Sequence, residues 1–271
     1  MLGKLIKNEF KSSAHSVANI YLAAGITIVI MMLSYVVKIK WISTLSTVAL
    51  LLISVIAVII TLVAVITNFY KTLYGQQGYL SFTLPVKSGQ LLTAKALVSF
   101  VWILVSYIIT IAIWVGVYIY AAKMVGKDTM TALKTMMQIF AGMPNADVIR
   151  KILIIFCVMV FAQIAVFIAE VYFALTLANT KTFQKMGTIS AIFIFFAVFI
   201  VMQILVGTLT SVVPISLVAT VDGLTVSFTQ SMMNSTGNLT LGITGFIFEV
   251  FAAAGLFAAT AYLMKNKINV K

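Results

Sequence analysis

Six predominantly apolar runs, at about 17–37, 44–69, 96–122, 152–178, 188–213 and 242–264, alternate with shorter polar stretches along the 271-residue chain. A helix of about 20 residues rises about 30 Å, the thickness of a bilayer's hydrocarbon core, and each run reaches that length. None shows the ten-residue alternation of an outer-membrane barrel strand, and hydrocarbon obliges backbone groups to bond within a segment, so the runs predict helices. No period of 20–50 residues repeats. At about 20 residues per span plus connections, the length leaves no room for a second soluble domain. The pattern predicts an all-α integral membrane protein, a single transmembrane domain over residues 1–271 with six transmembrane helices.

Composition excludes the soluble classes. Hydrophobic residues make up 62% of the chain and charged residues 9%, against roughly 25% charged in an ordinary soluble domain. The net charge of +12 would point to nucleic acid in a soluble protein, but here the cations flank apolar runs, where they set topology. With both termini inside, the inner segments hold eleven cations: Lys4, Lys7, Lys11, Lys71, Lys87, Lys95, Lys181, Lys185, Lys265, Lys267 and Lys271. The outer ones hold seven: Lys38, Lys40, Lys123, Lys127, Lys134, Arg150 and Lys151. This bias, and a 214–241 connection free of Lys and Arg, favour cytoplasmic termini. The lone Cys157 excludes an intramolecular disulfide, and the lone His15 excludes a multi-histidine metal site. The apolar run after Lys4, Lys7 and Lys11 exceeds a signal-peptide core and is followed by Lys38-Ile39-Lys40 rather than a small-residue cleavage site, so it is expected to remain as a span.

Three segments outside the runs have character of their own. On a helical wheel Leu2, Leu5, Ile6 and Phe10 fall within an arc of about 140°, opposite Lys4, Lys7, Asn8 and Lys11, as in a helix lying along the inner interface. Glu9 lands in the middle of the apolar arc. Either that face meets protein at position 9, or the carboxylate snorkels from a frayed helix end. In the outer connection 123–151, Asp128 is placed to cap a helix carrying Met130, Leu133, Met136, Met137 and Phe140 at helical spacing, ended by Gly142 and Pro144. The 214–241 connection has Asp222 as its only charge and stays apolar after Pro214, so a re-entrant hairpin dipping back into the membrane before the last helix is expected there.

Catalytic chemistry is missing from the spans. Asp128, Asp147 and Asp222 all fall in outer connections, which removes an intramembrane aspartyl pair, and no base accompanies a serine inside a run. No Gly-x-x-x-x-Gly-Lys-Ser/Thr occurs, so the chain binds no nucleotide through a P-loop. No catalytic residue and no metal ligand set is assigned. Glu170 and Glu249 do lie inside runs. At about 1.5 Å per residue, Glu170 is roughly 12 Å from the inner end of its helix and Glu249 roughly 10 Å from the outer end of its own, which separates their depths by roughly 8 Å. They are either two polar points along a translocation pathway or groups bonded to neighbouring Asn, Gln or Thr that fix helix packing. Gln163 and Gln203 fit packing hydrogen bonds.

The inner connection from Tyr70 to Lys95 is amphipathic, with Pro85 closing a short helix and a new helix starting near Ser88. Aromatic and aliphatic side chains presented there suit a docking partner. The N-terminal Leu-Ile-Lys-Asn-Glu-Phe-Lys, the six runs, and Gly78-Tyr79-Leu80-Ser81-Phe82-Thr83-Leu84-Pro85-Val86 followed by Leu91, Leu92 and Lys95 together resemble the permease subunits of bacterial type-2 ABC transporters, in the form common in Gram-positive bacteria. The likeness covers the whole topology and is residue-specific over about 1–11 and 71–95.

The resemblance implies that the first inner connection forms a cytoplasmic coupling helix against a separate ABC ATPase, with the N-terminal interfacial helix beside it and Glu9 facing protein. Carried over to this chain, Gly78, Tyr79, Leu80, Leu84, Pro85 and Lys95 shape or fill the ATPase contact. Acidic residues usually precede that glycine, whereas Gln76 and Gln77 stand here, so charge pairing gives way to hydrogen bonding. The family also places short re-entrant helices between its fifth and sixth spans. It implies a second permease subunit, identical or related, in a bacterial cytoplasmic membrane. This chain would be no enzyme and bind no cofactor itself, with ATP and Mg held by the ATPase and no nucleic acid involved. The implied mechanism is alternating access, exporting an amphipathic or hydrophobic cargo such as an antimicrobial peptide, lipid or drug. Two other readings stand beside it: an ion-coupled secondary transporter using Glu170 and Glu249, and a non-transporting membrane sensor or scaffold whose receptor element is the outer 123–151 helix.

Overall fold

The computed structural model describes residues 2–36, 40–75, 88–124, 126, 128–131, 134, 146–181, 183, 188–220, 223–228 and 240–266. They hold six long helices: α1 (Leu2–Val36), α2 (Lys40–Leu73), α3 (Ser88–Met124), α4 (Ala146–Ala178), α5 (Thr188–Val212) and α6 (Ile243–Asn266). Strands β1 (Ile215–Thr220), β2 (Gly223–Phe228) and β3 (Thr240–Gly242) lie between α5 and α6. Helices α2 to α6 are five segments long and apolar enough to cross a membrane, and α1 contributes the shorter apolar stretch Tyr21–Ile30 among its described residues. Their outward faces carry Leu22, Trp41, Leu45, Ile59, Phe193 and Phe251, all well over half exposed or nearly so. Apolar surface on that scale is stable in lipid and not in water. The chain is a multi-pass membrane protein.

The chain divides into two units, residues 1–135 and 136–271. In the first, α1, α2 and α3 pack on one another. Ala24, Leu50, Ile113 and Val117 form the buried centre, with Ile28, Leu51, Ile53 and Ile109 against it. Because lipid gives no hydrophobic drive to helix association, close packing and interhelical hydrogen bonds do that work. Trp114 Nε1 donates to Ser54 Oγ at 2.9 Å, and Tyr21 Oη and Thr61 Oγ1 lie 3.3 Å apart. No break separates the N-terminal segment from the first run: α1 is continuous from Leu2 to Val36. The intervening Ser12-Ser13-Ala14-His15-Ser16 contains neither Gly nor Pro to interrupt it.

Helix α2 ends sharply. Tyr74 and Gly75 both donate their backbone N–H to Tyr70 O, at 2.8 and 3.0 Å. A Cβ on Gly75 would stand 2.8 Å from Lys71 O, so the chain leaves the helix here because glycine permits the close approach. Residues 76–87, which include Gln76, Gln77, Gly78, Tyr79, Leu80, Leu84 and Pro85, lie outside the described residues.

In the second unit α4, α5 and α6 pack together, with Val166, Ala169 and Ala253 buried and Leu256 against them. Helices α5 and α6 approach at Gly245, where a Cβ would come within 2.9 Å of Val206 Cγ1 and 3.1 Å of Thr210 Cγ2. The described residues of the connection between them form an antiparallel sheet in the order β2-β1-β3. Register runs from Ile215 opposite Phe228 to Thr220 opposite Gly223. β3 pairs with β1, Ser216 opposite Gly242, and continues directly into α6. Thr244 Oγ1 donates to Val213 O at 2.6 Å and accepts from Ile215 N at 3.2 Å, fastening the sheet to the start of α6. Leu224, Val226 and Phe228 alternate with Thr225 and Ser227, the period of a strand. A helix is not among the described residues of 213–242, and 229–239 lie outside them.

Between α3 and α4, Asp128 immediately precedes a helical turn at 129–131. Residues 135–145, with Met136, Met137, Phe140, Gly142 and Pro144, are outside the described residues.

Candidate functional site

The first three turns of α1 keep the two-faced character of their sequence. Leu5, Ile6, Glu9 and Phe10 are half-buried, while Lys7, Asn8 and Lys11 are exposed. Spacing of three and four residues puts the first set on one face, and that face meets protein. Phe10 packs on Trp102 of α3, ring centroids 5.9 Å apart. The Trp102 Nε1 donates to Ser13 Oγ at 2.8 Å, and Ser13 Oγ in turn donates to Glu9 O at 2.7 Å.

Glu9 therefore arrives among polar partners rather than acyl chains. Its Oε1 lies 2.6 Å from Lys95 Nζ, and its Oε2 accepts from Asn68 Nδ2 at 3.3 Å. Lys95 Nζ also donates to Thr72 Oγ1 at 2.7 Å, and Thr72 Oγ1 donates to Asn68 O at 2.6 Å. The Lys95 side chain is 2% exposed and that of Glu9 16%. Removing an ammonium from water without a partner costs several kcal/mol, so the pair holds together through ion contact and a second, neutral acceptor.

The placement of this cluster matters as much as its chemistry. Asn68 and Thr72 stand one turn apart in the last two turns of α2, and Lys95 is in the second or third turn of α3. One carboxylate on α1 thus ties together the two helices that carry the connection 76–87. Lys95 is turned to Glu9 and buried there rather than presented at the surface. Asn68 and Thr72 were not singled out in the sequence. Their signal was available: two polar residues four apart, hence on one face, at the end of an otherwise apolar run.

In the second unit Gln163 of α4 donates through Nε2 to Glu249 Oε2 of α6. Glu170 is buried, 5% exposed, and Glu249 half-buried. Seven residues separate Gln163 from Glu170, which places both on one face of α4 about 10 Å apart along its axis. Val166 and Ala169 pack against Ala253 between those levels. Glu249 is bonded to the Gln163 amide, and Glu170, two turns along α4 from Gln163, lies within electrostatic reach of Glu249. Gln203 is exposed on α5 and joins neither.

No protein-family model matches the sequence, and no curated protein or solved structure matches it either.

Proposed function

We propose that this chain is the membrane-spanning permease subunit of an ATP-driven ABC transporter, exporting an amphipathic or hydrophobic cargo with energy from a separate ATPase. The observation that carries the reading is the buried Glu9–Lys95 pair with Asn68 and Thr72. A segment that passes on a partner's motion needs a rigid base, or the motion is absorbed locally instead of reaching the spans. The cluster supplies such a base on both sides of residues 76–87, the stretch that resembles a coupling helix. In this reading α1 to α6 are six spans, both termini are cytoplasmic, and the partner's ATP-driven closure pushes on 76–87 to bias the permease between two access states. The chain would pair with a second permease subunit, identical or related, in a bacterial cytoplasmic membrane.

Leu80 gives the test. Leu80→Asp would place a charge in the apolar contact surface, and it is expected to abolish stimulation of the ATPase while membrane insertion and expression stay at the wild-type level. Coupled hydrolysis at the wild-type rate in that variant would sink the coupling role. A second reading, ion-coupled transport, draws on the burial of Glu170 and the Gln163–Glu249 bond. Ion-driven cargo uptake by the chain alone, without an ATPase, would favour it.

A further inference from the structure

Between α1 and α3, with α2 as its floor, lies a cleft of about 700 Å³. Ala24 and Gly25 form one wall, Ile113, Gly116 and Val117 the other, and Leu50 closes the floor. Its volume is that of a small-molecule pocket, roughly 300–1,000 Å³, yet its lining is almost wholly apolar. Neither Gly25 nor Gly116 would meet anything within 4 Å if it carried a Cβ, so the glycines leave open space rather than allow a close helix contact. Along α3 the cleft runs from Ile109 to Lys123, about 21 Å at 1.5 Å per residue. That exceeds the roughly 15 Å of hydrocarbon in one leaflet. It ends at Lys123, in the last turn of α3, where the apolar helix finishes.

Lys123 decides what occupies such a groove. It has no ion pair among the described residues, and it stands where an apolar trough of leaflet length meets the interface. A ligand that fits has one long apolar chain and an anionic group at one end. A second copy of this chain, with its net charge of +12, is a poor electrostatic complement for a lysine. We propose that the cleft holds an acyl chain of an anionic membrane phospholipid, whose phosphate sits on Lys123 Nζ. The lipid fills space that would otherwise leave Gly25 and Gly116 without contact, and it does so whether or not the chain works with an ATPase.

The experiment uses the full chain purified in detergent and offered phosphatidylglycerol or phosphatidylcholine, with retained lipid counted by native mass spectrometry. Wild-type protein is expected to keep one phosphatidylglycerol, at least fivefold in preference to phosphatidylcholine, the worth of about one lysine at an anionic surface. Gly116→Leu fills the trough without a backbone clash and should lose the retained lipid; Gly25→Leu does the same from the other wall. Lys123→Gln, at an exposed position, should still retain lipid but no longer distinguish the two headgroups. Inorganic phosphate should not displace the lipid. Equal retention of both lipids by wild type would overturn the proposal. So would undiminished retention in the two filled variants, displacement by phosphate, or disulfide cross-linking of two copies through Gly116→Cys in a Cys157→Ser chain.

Discussion

Glu9 shows how a single residue out of pattern can be informative. Its position in the middle of an apolar arc is legible from the sequence, because a carboxylate there must find a partner or distort the helix end. The identity of the partner is not legible. Lys95 lies 86 residues away and, read along the chain, belongs with the cations that flank apolar runs. Only the packing of α1 on α2 and α3 brings the two within 2.6 Å. A buried pair of this kind is sensitive to loss of one member: Glu9→Gln should destabilise the protein by about 3 kcal/mol, since it leaves the Lys95 ammonium buried without a counter-charge. Adding Lys95→Met should recover most of that loss, by removing the stranded charge. Thermal unfolding of the two single variants and the double variant in detergent measures the coupling. Strictly additive losses would mean that the two groups do not depend on each other.

At the scale of elements, hydropathy locates the helices well and describes the connections poorly. The run at 188–213 compares with α5 at Thr188–Val212, and that at 242–264 with α6 at Ile243–Asn266. Helices α2 and α3 extend past their apolar runs, to Leu73 and back to Ser88, because polar ends propagate a helix without contributing to a hydropathy signal. The sheet between α5 and α6 escapes detection for a related reason. An apolar, nearly uncharged connection has the same composition whether it folds as helices or as strands. The distinguishing signs were local: the Asp222-Gly223 dipeptide, a hairpin signal in sequence, and the strict alternation at 224–228.

The α5–α6 contact depends on the absence of a side chain at Gly245. A valine there would meet Val206 Cγ1, itself on a β-branched residue with little rotamer freedom in a helix. Gly245→Val is expected to lower stability by about 1–3 kcal/mol through overpacking, and Gly245→Ala by less. A melting temperature in detergent unchanged by both substitutions would mean that α5 and α6 do not pack closely at this point.

For the whole molecule, the sparse charge is the most useful guide. Five helices expose apolar faces suited to lipid, and several of the chain's few charges are paired or buried. Glu9 of α1 and Lys95 of α3 neutralise each other, Glu249 takes the Gln163 amide, and Glu170 is buried in α4. The membrane class of the protein is readable from the apolar runs alone. The cluster of Glu9, Asn68, Thr72 and Lys95 is not, because its four side chains come from three helices.

The most direct test of the transporter reading is ATP hydrolysis in liposomes. The chain would be co-purified with a candidate P-loop ATPase from a neighbouring reading frame, as the reading requires, reconstituted, and exposed to an amphipathic cationic peptide. Stable co-purification and a peptide-dependent rise in hydrolysis are the predicted result. Failure of the two proteins to associate, with hydrolysis by the ATPase unchanged by chain and peptide alike, would contradict it.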